Sequence, residues 1–185
     1  MEHSDFSSIP AIDIAPDGDV ILIIGADRRR LRVFSLFLKN ASNVFKAMLG
    51  SHFAEGKSIG GADPAEIPLP EDDAETLSII FNVLHGKNDI VPESLDGTQI
   101  LRIAVAADKY DLIIPLRFAI QRWLACSGVS DPKELWLLMV ASSWFDNAKG
   151  FADITHALIF HYAGSYSELA IEGGLNPDAL LRACG

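Results

Sequence analysis

The distribution of strand-like segments constrains the fold of this chain more than any other feature. Residues 20–24 are Val-Ile-Leu-Ile-Ile, a β-branched run with the length and composition of a buried strand. A turn over 26–29 separates it from the alternating segment 30–34, which predicts the second strand of a hairpin. Residues 66–70 form one more short extended segment, confined by its two prolines to a sheet edge or strand end. So few strands exclude a doubly wound parallel sheet.

Helical patterns fill most of the remaining chain. Ser35 and Ser42 each precede a short segment that they are suited to cap. Longer stripes with helical spacing cover about 73–85, 98–109, 116–127, 131–146 and 151–162, and a last helix is predicted from 176. The predicted fold class is therefore α+β, with a small three-stranded sheet capping a helical cluster and a helical extension behind it.

The predicted domain organisation has three parts. Residues 1–17 form a polar N-terminal arm, in which Ile9, Ile12 and Ile14 fit either a strand or an isolated extended segment. Residues 18–127 form the main domain, and the sequence Ser127-Gly128-Val129-Ser130 is the best place to divide the chain. Residues 128–185 then form a C-terminal helical extension of unassigned role.

Charge and hydropathy disfavour two classes of partner. The 185-residue chain has a formal net charge of −10, which repels a phosphate backbone, so no nucleic-acid partner is expected. The one basic cluster, Arg28 to Arg32, is expected to be a solvated hairpin tip. Charges interrupt every apolar stretch well short of the roughly 18 residues that a membrane span needs, and residues 1–19 lack the pattern of a secretory signal. A cytoplasmic or nuclear protein is expected.

The sequence contains no constellation typical of catalysis or cofactor binding. His156 and His161 are five residues apart, which is not the spacing of a helical metal pair. No glycine-rich phosphate loop and no nucleophile motif occurs. We therefore expect no enzyme activity, no cofactor and no metal, although an enzyme with an unfamiliar site stays open as an alternative.

Several motifs, occurring in a consistent order, carry a family resemblance. Asp19 precedes the apolar run of the first strand, and residues 31–49 pass from strand to helix with a Leu, Ser, Phe, Met pattern. Phe53-Ala54-Glu55-Gly56, Glu66-Ile67-Pro68-Leu69-Pro70 and Ala106-Ala107-Asp108-Lys109-Tyr110 follow. Together, over about 18–125, they resemble BTB/POZ domains, and within them the stand-alone type common in filamentous fungi. At Phe34 this chain departs from the family, which usually has a histidine there or beside it, near the opening Asp.

The resemblance implies a protein–protein interaction module that forms homodimers through its first helices and N-terminal segment. The apolar content of residues 35–49 exceeds what one small helical face can hide, so part of it is expected at that interface. Together with the N-terminal arm, the residues expected there are Ile12, Ile14, Phe37, Leu38, Val44, Phe45 and Met48.

The resemblance also implies binding to a cullin scaffold, as a substrate adaptor of a ubiquitin ligase. Adaptors of this family use an apolar residue, any residue and then Glu before the third strand, which corresponds to Phe53 and Glu55 here. The alternative that a three-residue pattern leaves open is that Phe53 packs on its own domain and Glu55 is solvated. An oligomerisation domain in transcriptional or structural regulation, without a ligase, is the competing function, and a channel-type tetramerisation domain is a further one.

Cys126 and Cys184 are predicted to be free thiols, because two cysteines outside any metal-ligand spacing fit a reducing compartment. Titration of the denatured, unreduced protein with a thiol reagent should therefore detect both. Detection of neither would indicate a disulfide and contradict the assignment of compartment.

Overall fold

The computed structural model describes residues 11–50, 63–125, 128–166 and 168–169. The chain forms two compact units. Unit 1 comprises residues 1–91 and 110–112, and unit 2 comprises residues 92–109 and 113–185. These limits differ from the division at 127 suggested by the sequence. Unit 2 already begins at residue 92, and residues 110–112 belong to unit 1. The three-part organisation of the sequence stays a prediction.

The described part of unit 1 contains a four-stranded mixed sheet. Its strands are β1 (Ile12–Asp13), β2 (Val20–Ile24), β3 (Arg29–Val33) and β4 (Ala65–Leu69), in the spatial order β1-β3-β2-β4. β2 and β3 pair antiparallel, whereas β1 pairs with β3 and β4 with β2 in parallel. The predicted hairpin and the third extended segment are confirmed to within one residue.

The predicted number of strands was too low by β1. In this strand Ile12 lies opposite Leu31 and Asp13 opposite Arg32. Two residues carry no measurable alternation, so only the pairing with β3 distinguishes a strand from an extended arm here. This pairing places β1 at one edge of the sheet and leaves β4, which contains Pro68, at the other edge, where proline is tolerated.

The two faces of the sheet follow from the alternation of its residues. Val20, Leu22 and Ile24 are completely buried. Leu31, Val33, Ala65, Ile67 and Leu69 are also buried. On the other face Arg30 and Glu66 form an ion pair of 2.6 Å. One face of the sheet therefore belongs to the core of unit 1, and the other face carries the ion pair of Arg30 and Glu66.

Three helices complete the described part of unit 1: α1 (Ser35–Ala41), α2 (Asn43–Met48) and α3 (Ala74–Leu84). The Ser42 hydroxyl caps α2 by accepting from the Phe45 amide at 2.9 Å, as the sequence predicts. The Asp73 carboxylate caps α3 by accepting from the Thr76 amide at 2.8 Å. The predicted cap at Ser35 was wrong. Ser35 is the first residue of α1, and Phe34 precedes it without a side-chain cap.

An aromatic cluster packs the interior of unit 1. The ring of Phe45 stacks on Tyr110 at 4.6 Å and meets Phe81 edge-on at 5.8 Å. The Tyr110 hydroxyl donates to Asp72 at 2.8 Å, and its carbonyl accepts from the Ser42 hydroxyl at 2.5 Å. Burial, together with the hydrogen bond to Asp72, raises the pKa of Tyr110, so this phenol stays neutral and structural.

The described part of unit 2 is helical. It contains α4 (Gly97–Lys109), α5 (Arg117–Trp123), α6 (Pro132–Trp144) and α7 (Ala148–His161). α6 packs against both α4 and α7. At Gly97 a side chain would meet the Leu137 Cβ at 2.7 Å, so glycine permits the close approach of α4 and α6 there.

Polar caps set the helix limits in unit 2. Asp131 caps α6 through the Glu134 amide, as predicted. The Glu134 carboxylate in turn accepts from the Gly97 amide at 2.5 Å. α7 begins earlier than the apolar stripe suggests, because the Asn147 side chain caps it, its Oδ1 accepting from the Gly150 amide.

Candidate protein–protein interface

The first two helices of unit 1 present large apolar side chains to solvent. Leu36 is 62% exposed, Phe37 44% and Val44 38%. On the edge strand β1, Ile12 is 41% exposed. We call these four residues the apolar surface of unit 1. α1 and α2 are in contact, and exposed apolar side chains concentrated on such adjacent elements are typical of binding surfaces, whereas single ones are common on any protein.

The geometry of α1 explains why Leu36 and Phe37 are exposed. Residues 36–38 are three consecutive apolar residues, and successive residues on a helix point about 100° apart. Leu38 is completely buried. Phe37 and Leu36, one and two residues before it, therefore point away from that core. A helix of seven residues offers too few turns for an extended buried face, so the apolar residues exceed the interior that is available to them.

The structure separates the residues predicted at the dimer interface into two groups. Ile12, Phe37 and Val44 are exposed and Met48 is half-buried. Ile14, Leu38 and Phe45 are buried in the core of unit 1, and their place at a dimer interface stays a prediction. Leu36 belongs to the apolar surface but was not predicted, because nothing in a short all-apolar run shows which residue turns outward.

Phe53 and Glu55, the residues predicted to contact a cullin, lie outside the described residues. Cys126 and Cys184 lie outside them as well.

Asp19 fixes the start of α1 from the adjacent sheet. Its carboxylate accepts from the Ser35 amide at 2.7 Å and from the Ser35 hydroxyl at 2.6 Å. Burial by itself would raise the pKa of Asp19, but the hydrogen bonds from Ser35 outweigh it, and the pKa lies below its usual value. The Asp that precedes the first long strand therefore acts as a long-range cap for α1.

His85 supports Phe34, the residue that precedes α1. Its Nε2 accepts from the Phe34 amide at 3.1 Å, and its ring packs 6.4 Å from the Phe34 ring and 4.9 Å from the Phe37 ring. His85 is the C-cap residue of α3. The sequence has no histidine at position 34, but the structure brings an imidazole to it from a different element. No local spacing signals this contact, because it depends on how α3 packs.

Within residues 11–50, 63–125, 128–166 and 168–169, no group of three or more His, Cys, Asp or Glu side chains is placed to hold a metal ion. Across the same residues, no helix is both long and apolar enough to cross a bilayer.

A mixed sheet with capped helices and an exposed apolar surface defines a small α+β domain with the attributes of a binding module. The family model for BTB/POZ domains matches residues 17–114, just over half of the chain. The chain belongs to the BTB/POZ domain family, whose members are protein–protein interaction and oligomerisation modules and are generally not enzymes. A comparison with curated proteins gave no significant match. The resemblance to the stand-alone fungal type stays a prediction.

Replacement of Asp19 by Ala should lower the free energy of unfolding by about 2 kcal/mol, because it removes two hydrogen bonds to a charged acceptor. Denaturant unfolding measures this loss. The exposed Asp17 provides the control, and Asp17→Ala should change the stability by less than about 0.5 kcal/mol.

The contribution of Asp19 to the free energy of unfolding should also depend on pH, and should decrease as the pH falls. Its pKa in the folded protein lies below the ordinary 3.8. The charge-dependent part of its contribution is therefore complete above 3.8 and disappears as the pH falls through the folded pKa. A difference between wild type and Asp19→Ala that stays constant down to strongly acidic pH would contradict this account.

Proposed function

We propose that this chain is a self-associating interaction module, which forms a homodimer through the apolar surface of unit 1. The observation that carries the proposal is the exposure of Leu36, Phe37 and Val44 on two consecutive short helices. BTB domains typically self-associate, and contact of a second copy with these side chains would remove apolar area from water.

The electrostatics require that apolar contact drives the association. Two copies, each with a formal net charge of −10, repel each other at long range. Residues 36–38 carry no charge, so contact there brings no like charges together from that segment. The dimer should therefore become tighter as salt is added, because salt screens the repulsion and leaves the burial of apolar area intact.

β1 supplies a second element for the same interface. It lies at the edge of the sheet, and its exposed Ile12 precedes Ile14, which is anchored in the core. A short edge strand leaves backbone groups unpaired on its outer side, where another chain can bind. Exchange of the N-terminal arm between two copies, as expected from the sequence, is compatible with this position.

Introduction of charge into the surface tests the homodimer. Leu36→Glu combined with Val44→Glu should convert the full-length dimer into a monomer, as measured by light scattering after size-exclusion chromatography. Loss of one anchor at an interface costs about 2 kcal/mol or more, which raises Kd about 30-fold. Both residues are exposed, so the variant should keep its fold.

Ile159→Glu is the matched control. Ile159 is a 61% exposed residue of α7, almost as exposed as Leu36, but it lies in unit 2. This variant should remain dimeric. A wild-type chain that is monomeric at tens of micromolar, or a control that dissociates as fully as the double variant, would refute the proposed surface.

We further propose that the module acts as an adaptor that binds a cullin scaffold through Phe53 and Glu55. The support is the sequence pattern Phe53-Ala54-Glu55, at the place that the family resemblance requires. A large apolar anchor with a nearby carboxylate has the composition of an interface hot spot, where the apolar group fills a pocket and the carboxylate binds a donor.

The variant Phe53→Ala with Glu55→Ala should abolish the capture of a cullin N-terminal domain by the full chain. A pull-down with purified proteins measures this, and light scattering must show that the variant remains dimeric. If the wild type does not bind at tens of micromolar, roughly −6 kcal/mol, the adaptor function is wrong. Oligomerisation in transcriptional or structural regulation, in the cytoplasm or the nucleus, is then the leading alternative.

A further inference from the structure

Both ring nitrogens of His85 are committed to backbone partners. Nδ1 lies 2.8 Å from the Phe81 carbonyl oxygen, and Nε2 lies 3.1 Å from the Phe34 amide nitrogen. A carbonyl oxygen only accepts, so Nδ1 carries the proton. An amide N–H only donates, so Nε2 offers its lone pair. The neutral ring with its proton on Nδ1 is the single form that satisfies both contacts.

A second proton changes one contact and preserves the other. The imidazolium still donates from Nδ1 to Phe81. Its Nε2–H, however, points at the Phe34 N–H, and two donors cannot share a hydrogen bond. Phe34 is the N-cap residue of α1, so the lost contact lies where the chain enters that helix.

We propose that His85 is a proton-sensitive clamp, which holds the start of α1 when it is neutral and releases the Phe34 amide when it is protonated. The clamp consists of one side chain at the end of α3 and one backbone amide before α1. The ring also contacts Phe37, a member of the apolar surface, so its charge state acts on the support of that surface.

The groups around the ring favour the neutral form. Burial is the main reason that the pKa of His85 lies below the ordinary 6.5, and Lys87 adds repulsion, while the bond to the Phe81 carbonyl works in the opposite direction. The Phe37 ring, tilted at 4.9 Å, also favours the charged form of the imidazole, whereas the Phe34 ring, stacked at 6.4 Å, lies just beyond the range of such an attraction.

In the part of the chain that the structure describes, the other charged groups on neighbouring elements do not bond to the ring. In α1, the charge of Lys39 helps to lower the pKa of Asp19. The carboxylate of Asp19 accepts its hydrogen bond from the Ser35 amide. In β3, Arg30 pairs with Glu66 and Arg32 donates to the Gly18 carbonyl, while Arg29 lies exposed at the far end of the strand. Among the described residues, no carboxylate hydrogen-bonds to either nitrogen of His85.

The direction of the pH effect follows from the lowered pKa. Between that pKa and 6.5 the unfolded chain binds more protons at this site than the folded chain does. Stability therefore rises with pH through this window, and the contribution of the clamp is lost as the pH falls through the folded pKa. At neutral pH and above, the clamp is closed.

An NMR titration of the 185-residue chain tests the clamp. The imidazole of His85 should titrate below 6.5, with its proton on Nδ1 in the neutral form. The protection factor of the Phe34 amide against hydrogen exchange should fall about fivefold across the same titration, the equivalent of one ordinary hydrogen bond. The Ser35 amide, held by Asp19, should keep its protection.

Two variants separate titration from packing. His85→Gln keeps an acceptor but does not titrate, so the pH dependence at Phe34 should disappear. His156→Gln removes an exposed histidine of α7 and should leave that dependence unchanged. The wild-type measurement alone can refute the clamp. It does so if His85 titrates at or above 6.5, or if the protection of the Phe34 amide is the same on both sides of the titration.

The effect on self-association rests on the proposed function. If the wild type is a homodimer at pH 7.5, its Kd should rise as His85 becomes protonated, and His85→Gln should remove that rise. If the wild type is a monomer at pH 7.5, the dimer proposal fails. The exchange at Phe34 then still decides whether the clamp exists.

Discussion

The hydrogen bonds from Ser35 to Asp19 are the interaction on which the geometry of unit 1 depends. β3 ends at Val33 and α1 begins at Ser35, so the chain turns within one residue. The amides at that turn have no partner inside the helix, and a helix of seven residues is too short to be stable without tertiary support. The acceptors come from two other elements: Asp19 before β2 for the Ser35 amide, and His85 after α3 for the Phe34 amide. Sheet and helices are thereby joined at one point.

This anchoring determines which apolar residues remain outside. Once the first turn of α1 is fixed and Leu38 points into the core, the 100° step between residues places Leu36 and Phe37 on other sides of the helix. A longer helix could have buried more of them against a neighbour. The short one leaves them in water, where their exposure has a cost that contact with another molecule removes. The apolar surface is thus a consequence of the turn and of the length of α1.

The sequence predicted elements whose signals are local and missed contacts that join distant residues. The β-branched run of β2, the alternation of β3 and the caps at Ser42 and Asp131 are confirmed, since each depends on neighbours a few residues away. β1 was missed as a definite strand because its pairing with β3 decides it. Ser35 was misassigned as a cap because its partner, Asp19, lies on another element. The role of His85 was invisible for the same reason. The predicted interface was partly buried because apolar content does not distinguish a core residue such as Phe45 from an exposed one such as Val44.

The two acceptors at the start of α1 are titratable groups of different kinds, a carboxylate and an imidazole. The pKa of Asp19 lies below 3.8 and that of His85 below 6.5, each because of its own surroundings. Where His85 has gained its proton and Asp19 has not, the Phe34 amide has lost its acceptor while the Ser35 amide still has one. Release is then confined to the single residue before α1, and the helix remains attached to the sheet. A carboxylate in place of His85 would keep the Phe34 amide bound through that range. The choice of an imidazole as the second acceptor therefore makes the support of Phe37 adjustable without unfolding unit 1.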